Sequence, residues 1–409
     1  MEVVHKKCAG LDVHSGFVVA CGRTIKRGKI AYEEARFATT TRELLELKAW
    51  LEARGLTHVV MEATGVYWKP VWHMLEGPTI HLILANAQAV RGLPGRKSDT
   101  NDARWLADLL AHGLVKPSFV PPVAIQELRE LTRTRAQLAR QMVQQQNRLA
   151  KVLESANIKL ANVVSDLLGV NSRRILDALV GGETDPTKLA GLVDKRLKAT
   201  RTDLVAALEG RFTRHHAFLV RQHLAMIDHL AAQIAVFEGE VDALLKPFRH
   251  HVDHLCMIPG VKARAARAII AEIGLDMSRF PTAGHLLSWA RLVPRQDETG
   301  GKTRSTKIKN GGAWLKPLLV QCAWSAARTK NTYLSAQFAS IAARRGQKKA
   351  AIAVAASILT AIYHMIRDGV PYRPPTKAPL DATSKTRRAK RLAAELRDLG
   401  YSVEMSQAA

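Results

Sequence analysis

The sequence predicts an α/β domain with a mixed sheet, followed by a mainly helical remainder, and three observations carry that prediction. Runs that are apolar or alternate in polarity, at residues 7–13, 16–22, 57–62 and 79–84, are strand-like, and helical patterns separate the later ones. Strands first, then alternation with helices, is the layout of a mixed sheet. Beyond Pro117, Pro121 and Pro122, the stretch from Ile125 to Ser155 contains neither proline nor glycine and spaces its apolar residues helically.

Residues 7–13 and 16–22 flank His14-Ser15-Gly16 as a hairpin would. TRELLELKAWLEAR, residues 41–54, is an amphipathic helix with Thr41 as its expected cap. Helices near 67–75 and over 100–112 alternate with the strands at 57–62 and 79–84. From Leu128 through Leu138, Met142 and Leu149 a narrow apolar stripe follows a helix of about 45 Å. Arginine and glutamine cover much of the rest, as in a coiled coil or helical arm. More helices are expected around 162–180, 185–209 and 215–246. Near Leu255 a third unit begins with a Pro-Gly turn ahead of an Ala- and Ile-rich helix. A glycine-rich basic loop comes next, then a helix at 347–367 and the break PYRPPTKAP. The expected division is 1–122, 123–250, 251–370 and a basic Pro-rich tail at 371–409.

At 409 residues, 47% of them apolar, the chain can fill two or three cores. No apolar stretch approaches the roughly 20 residues of a membrane span, and the N-terminus lacks a signal-peptide pattern. Cys8, Cys21, Cys256 and Cys322 are too scattered for a disulfide framework or a zinc knuckle. These features point to the cytoplasm and away from the membrane. The formal charge is +25, yet residues 1–122 hold 16 Lys or Arg against 12 Asp or Glu and supply only +4 of it. A polyanion is therefore expected mainly on the chain beyond residue 122, with RNA and duplex DNA equally attracted through phosphates. The GxxxxGK[ST] and GxGxxG nucleotide-binding patterns are absent.

Four carboxylates carry the chemistry. Asp12 in GLDVH and Glu62 in VVMEATG end strand-like runs, and Asp99 and Asp102 stand three apart on one helix face. The plain alternative for Asp12 is a salt bridge to Lys6 or Lys7, and Asp99 could simply cap its helix. Together the four form an oxygen-rich set suited to Mg²⁺ or Mn²⁺ and poor for zinc. Two such ions can clamp a phosphodiester. The Pro259-Gly260 turn, followed by Lys262 and Arg264, could hold a phosphate on its backbone amides. Thr299 lies beside Lys302, Arg304, Lys307 and Lys309, where a hydroxyl among cations could act as nucleophile or merely hydrogen-bond phosphate.

GLDVH, MEATGVY, KSDTNDA, IPGVKARAARAIIAEIG, RFPTAGHLLSWARLVPR and GGKTRSTKIKNGG, in this order and separated by a helical segment, resemble the insertion-sequence transposases of the IS110/IS1111 type. The resemblance covers most of the chain. It implies a RuvC-like, ribonuclease-H-like first domain whose Asp-Glu-Asp-Asp tetrad falls on Asp12, Glu62, Asp99 and Asp102, a coiled-coil linker, and a small helical transposase domain. It further implies divalent-metal-assisted excision and integration of DNA by an oligomer, a dimer or tetramer, acting on element ends and target near the nucleoid. Some members are guided by a structured RNA that the element encodes. The family's serine nucleophile joins DNA covalently; here the matching position carries Thr299, with Ser305 six residues on as the alternative and an inactive copy as the third account. The other readings are a RuvC-like structure-specific endonuclease that uses water, and a catalytically inactive DNA- or RNA-binding protein.

Overall fold

In the computed structural model the chain forms two compact units, residues 1–121 and 122–409. The structure describes all residues except 1, 27, 64, 86–101, 195–198, 295–297, 300–301, 304, 306, 309–310, 375–381 and 405–409. At 26, 298–299, 302–303, 382–388 and 391 it describes the backbone alone.

Unit 1 runs β1 (Lys7–Val13), β2 (Phe17–Lys26), β3 (Lys29–Ala38), α1 (Thr41–Ala53), β4 (His58–Glu62), α2 (Trp68–Leu75), β5 (His81–Ala85) and α3 (Asp102–Ala111). The strands form one sheet in the order β3-β2-β1-β4-β5. β1, β2 and β3 are joined antiparallel, while β1, β4 and β5 are parallel neighbours. This is the mixed sheet the sequence predicts, with one strand more. β3, KIAYEEARFA, is a half-exposed edge strand whose charges hide its alternation. The cap of α1 is Thr40 and not Thr41: its hydroxyl accepts from the Glu43 amide at 3.4 Å.

Pleating sends alternate residues to opposite faces. Ala9, Leu11, Val13, Val59 and Met61 pack with Leu44, Leu47 and Leu51 of α1 and Val71 and Leu75 of α2. Cys8, Val60 and Ala85 face the other way, against Leu106, Leu109 and Leu110 of α3. Gly10 lies between them on that second face, and the fit there is tight. A Cβ at Gly10 would stand 2.0 Å from the Ala103 carbonyl oxygen and 2.6 Å from the Ala107 nitrogen. Only glycine lets α3 sit this close to β1.

Unit 2 opens with α4 (Val123–Ser155), a 33-residue helix about 50 Å long. Short helices α5 (Leu160–Val163), α6 (Val170–Val180), α7 (Pro186–Gly191) and α8 (Arg201–Leu208) lead to α9 (Arg214–Leu245), which packs along α4. Continuous helices expected over 162–180 and 185–209 are thus broken. New starts explain part of this: Asp185 caps α7 ahead of Pro186, and Thr200 with Asp203 forms a capping box on α8. Leu149 and Leu153 of α4 share a core with Ile175, Leu189, Leu204, Val220 and Leu224.

The chain continues through α10 (Arg249–Cys256), α11 (Ala263–Ile273), α12 (Ala283–Trp289), the two-residue strands β6 (Glu298–Thr299) and β7 (Lys302–Thr303), α13 (Leu315–Arg328), α14 (Tyr333–Arg345), α15 (Gln347–Asp368) and α16 (Ala382–Asp398). Contrary to the sequence reading, α15 has the length and apolar composition of a membrane span. Its Val354, Ile358, Leu359 and Ile362 are fully buried within the protein, so core packing accounts for that apolar character. All four cysteines are free thiols.

Candidate functional site

Strand register places the first two carboxylates. β1 and β4 pair in parallel with Gly10 opposite Val60 and Leu11 opposite Met61, so Asp12 and Glu62 come next on the same pair of strands. Both share the face of Gly10 and Val60, at the carboxyl ends of the strands. Asp102 is the first residue of α3, directly before Ala103, whose carbonyl abuts Gly10. The fold thus directs Asp12, Glu62 and Asp102 to one end of one face. Asp99 lies outside the described residues.

Asp12 is about one-quarter exposed, and its Oδ2 is 3.1 Å from His14 Nε2. Its partner is therefore His14, across the turn, rather than Lys6 or Lys7. The His14 ring stacks on Phe17 at 4.5 Å, and the Arg36 guanidinium lies 3.7 Å over the Phe17 centroid. Three carboxylates offer hard oxygen donors, the chemistry of Mg²⁺ or Mn²⁺. Among the described residues, no three His, Cys, Asp or Glu side chains are grouped closely enough to hold a metal ion.

A second feature of this face escapes sequence reading. Arg23 of β2 is fully buried opposite Cys8, and its Nε donates to Asp108 Oδ1 of α3 at 2.9 Å. Tyr32 of β3 donates to the same oxygen at 2.6 Å, and the Arg104 guanidinium lies 3.8 Å over the Tyr32 ring. Burial and the bond to Asp108 raise the Tyr32 hydroxyl above its usual range. Asp108 therefore fixes the rotation of the helix that begins with Asp102. An arginine inside an alternating strand is the signal that could have found it.

The basic candidates lie in unit 2. Gly260, at φ +87°, joins α10 to α11, and a Cβ there would meet the Cys322 carbonyl oxygen at 2.3 Å and the Ala326 nitrogen at 2.6 Å. Close packing on α13 already demands this glycine. Pro259 is half-buried, while Lys262 and Arg264 are exposed. Arg264 is ion-paired with Glu238 at 3.1 Å. Thr299 pairs with Lys302 across the β6–β7 ladder, and the side chains of both lie outside the described set, as do Arg304 and Lys309 entirely. Lys307 is exposed, and its amide donates to the half-buried Ser305 hydroxyl at 3.2 Å.

Residues 9–158 match the family profile of the DEDD transposases of the IS110 type, and residues 252–339 match that of the IS116/IS110/IS902 transposases. The two segments together span more than half of the chain. A Pseudomonas aeruginosa protein described as "Probable family 20 transposase" is 25% identical over 370 residues, 89% of this chain and 94% of its own length. The 42 kDa protein of insertion element IS900 from Mycobacterium paratuberculosis is 26% identical over 73% of this chain and 81% of itself. The 43.6 kDa protein of insertion element IS110 from Streptomyces coelicolor is 30% identical over 34% of each.

Proposed function

The chain belongs to the IS110-type insertion-sequence transposases, and from that premise we propose that Asp12, Glu62, Asp99 and Asp102 form the acidic site at which DNA strands are cleaved and rejoined. One observation carries the reading: parallel register and the Gly10–Ala103 contact direct three of these carboxylates to one end of one sheet face. The four would hold Mg²⁺ or Mn²⁺, which when bound supplies Lewis-acid stabilisation of the charge that develops on a phosphate. His14 orients the Asp12 carboxylate through their 3.1 Å contact. Asp108, held by Arg23 and Tyr32, fixes the start of α3.

Thr299 supplies the hydroxyl. Its oxygen attacks phosphorus, an ester bond to the protein forms as the bond to the leaving strand oxygen breaks, and the hydroxyl proton passes through a base to that oxygen. The neighbouring Lys302 and Lys307 reduce the charge on the attacked phosphate. Element ends, target DNA and an element-encoded guide RNA are the polyanions for the basic remainder, and pairing two duplexes calls for a homo-oligomer, with α4 the natural segment for self-association.

Asp12→Asn should lower strand cleavage roughly a thousandfold while DNA binding stays within about twofold. Unchanged cleavage sinks the acidic site. Trapping the covalent protein–DNA adduct tests the nucleophile. Thr299→Ser should keep the adduct and Thr299→Val should lose it. An adduct lost only in Ser305→Ala would move the nucleophile to Ser305, and nicks without any adduct would mean that water attacks.

A further inference from the structure

Within unit 2, a cleft of about 330 Å³ lies among α4, α9, α11 and α13, lined in part by Arg133, Arg140, Glu238, Arg267, Trp314 and Gln321. Its charges are unevenly matched. Arg133 makes a two-pronged bond to the nearly buried Glu272 at 2.7 and 2.8 Å. Arg135 and Arg264 share Glu238, at 2.8 and 3.1 Å, and Arg267 reaches Asp242 at 2.6 Å. Arg129 also leans on Glu272 at 3.9 Å. Five arginines thus converge on three carboxylates. Burial first, and then the nearby Arg264, lower Arg135 below the usual guanidinium range.

Arg140 is the exception in this set. It is exposed, makes no ion pair among the described residues, and its guanidinium lies 4.9 Å from the Trp314 ring centroid, with Arg133 at 5.3 Å from the same ring. A planar cation with all its donors unspent, held over an indole in a recess of net positive charge, is arranged for an anion attached to something flat. The remaining lining is small or apolar, with Ala136, Ala139, Ala268 and Leu318, plus the Gln321 amide and the Thr132 hydroxyl. Its volume lies near the lower bound of ligand pockets, about 300–1,000 Å³. That admits one nucleotide unit and not a stacked duplex.

We infer that this cleft binds one nucleotide of an unpaired nucleic-acid segment, its phosphate on Arg140 and its base against Trp314 and the small-residue wall. The inference rests on the reading that the chain handles nucleic acid, but not on the acidic site of unit 1. Trp314 directly follows the glycine-rich basic loop, so a nucleotide seated here would lie beside the chain segment leading back to Thr299. Unpaired DNA and unpaired RNA share the recognised chemistry.

The test uses the full chain carrying Asp12→Asn, so that cleavage does not interfere, and 12-nucleotide single-stranded DNA, single-stranded RNA and duplex DNA of one sequence. Arg140→Ala should weaken single-strand binding roughly tenfold and reduce the slope of log affinity against log salt by about 0.7. Duplex binding should change less than about twofold. Loss on either single strand supports the cleft, and the larger loss identifies DNA or RNA as its occupant. Trp314→Leu should reproduce the loss, and Trp314→Phe, which keeps a ring and guards against misfolding, should recover most of it. Unaltered single-strand binding in Arg140→Ala, or an equal loss on duplex, overturns the assignment. So does displacement of the oligonucleotide by polyglutamate at equal charge, which would mark an acidic-peptide site. Should the wild type bind but never cleave, the catalytic reading fails while these arms still decide the cleft.

Discussion

Unit 1 and unit 2 both press a helix onto another element through a glycine and both bury arginine against carboxylate, but they use the arrangement differently. In unit 1 one buried cation, Arg23, and one acceptor, Asp108, tie α3 to the sheet. The strand ends beside them are left to acidic groups, and the unit carries little net charge. In unit 2 arginines lie along α4 and bridge to α9 and α11. Arg129 donates to the Ala271 and Glu272 carbonyls at 3.1 and 2.7 Å, and Arg133 and Arg135 take Glu272 and Glu238. Burial pulls the Arg129 guanidinium down to about 10, which still leaves it charged at neutral pH. A single ion pair with a buried cation and a partly exposed carboxylate fixes a geometry. A ladder with more cations than anions fixes a geometry and also leaves positive charge over, and this is the contrast behind the proposed division between chemistry on a phosphate and holding phosphates.

The largest expected effect breaks the unit 1 pair. Asp108→Ala strands a fully buried guanidinium and removes the Tyr32 acceptor, so unit 1 should lose about 3–5 kcal/mol, a fall of at least about 10 °C in its melting temperature. Replacing both partners, Arg23→Met with Asp108→Leu, should restore much of the stability, since the buried guanidinium that is costly to desolvate is then gone. Cleavage should remain impaired in the double variant, because nothing then fixes the rotation of α3 and with it Asp102. Full cleavage there would show that Asp108 is structural only. By contrast, Arg42→Ala, which breaks an exposed pair with Glu46, should cost under about 0.5 kcal/mol.

The two glycine contacts sharpen the comparison at an intermediate size. Gly260→Ala adds a methyl 2.3 Å from the Cys322 oxygen and forces an L-residue to φ +87°, so about 2–4 kcal/mol should be lost from unit 2. Gly10→Ala meets only the steric part, against Ala103, and should cost about 1–3 kcal/mol. Their functional consequences should separate. Gly10→Ala displaces the helix that starts at Asp102 and should lower cleavage more than nucleic-acid binding, and Gly260→Ala should do the reverse. If both variants lose binding and cleavage in equal proportion, the division of labour between the units is wrong.

The same contrast explains what could be read from the amino-acid order. Asp12 and Glu62 end apolar runs whose alternation dictates a strand, and parallel pairing of two such runs brings their ends together without further information. α4 is legible because 31 residues without proline or glycine can hardly be anything else. β3 is not, because an edge strand half in water keeps charges such as Glu33, Glu34 and Arg36 on it. Arg23 is flagged by its place in a strand, but its pairing with Asp108 is not legible, nor is the Trp314 cleft: the members are separated by 85 residues in the first case and by about 180 from Arg133 to Trp314 in the second. Side-chain pairing over such distances follows from packing of finished helices and leaves no periodic trace. The glycines mislead in a different way: Gly260 looks like a phosphate turn, yet a helix backbone at 2.3 Å already requires it.

Near neutral pH the smallest effect comes from the thiols, which separate the two units only as pH rises. Burial pushes the Cys8 thiol up to about 11 and Cys21 to about 12 in unit 1, and Cys322 to about 11 in unit 2, against an ordinary value of 9.0. For each, the unfolded chain gives up its proton first. The stability tied to the neutral thiol is therefore complete below about pH 9 and is lost as pH rises toward 11–12. Melting temperature should be flat on this account from about pH 7 to 8.5 and then fall. Unit 1, with two such thiols, should fall more steeply than unit 2, and Cys21→Ala should reduce the difference. Alkylation at about pH 8 gives the matching readout: Cys256, the one partly exposed thiol, should react with iodoacetamide in the folded chain, while Cys8, Cys21 and Cys322 should react only after unfolding. Rapid labelling of Cys8 in the folded protein would mean that α3 opens from the sheet at the place where Gly10 holds it closest, and the rigid acidic face assigned to unit 1 would have to be given up.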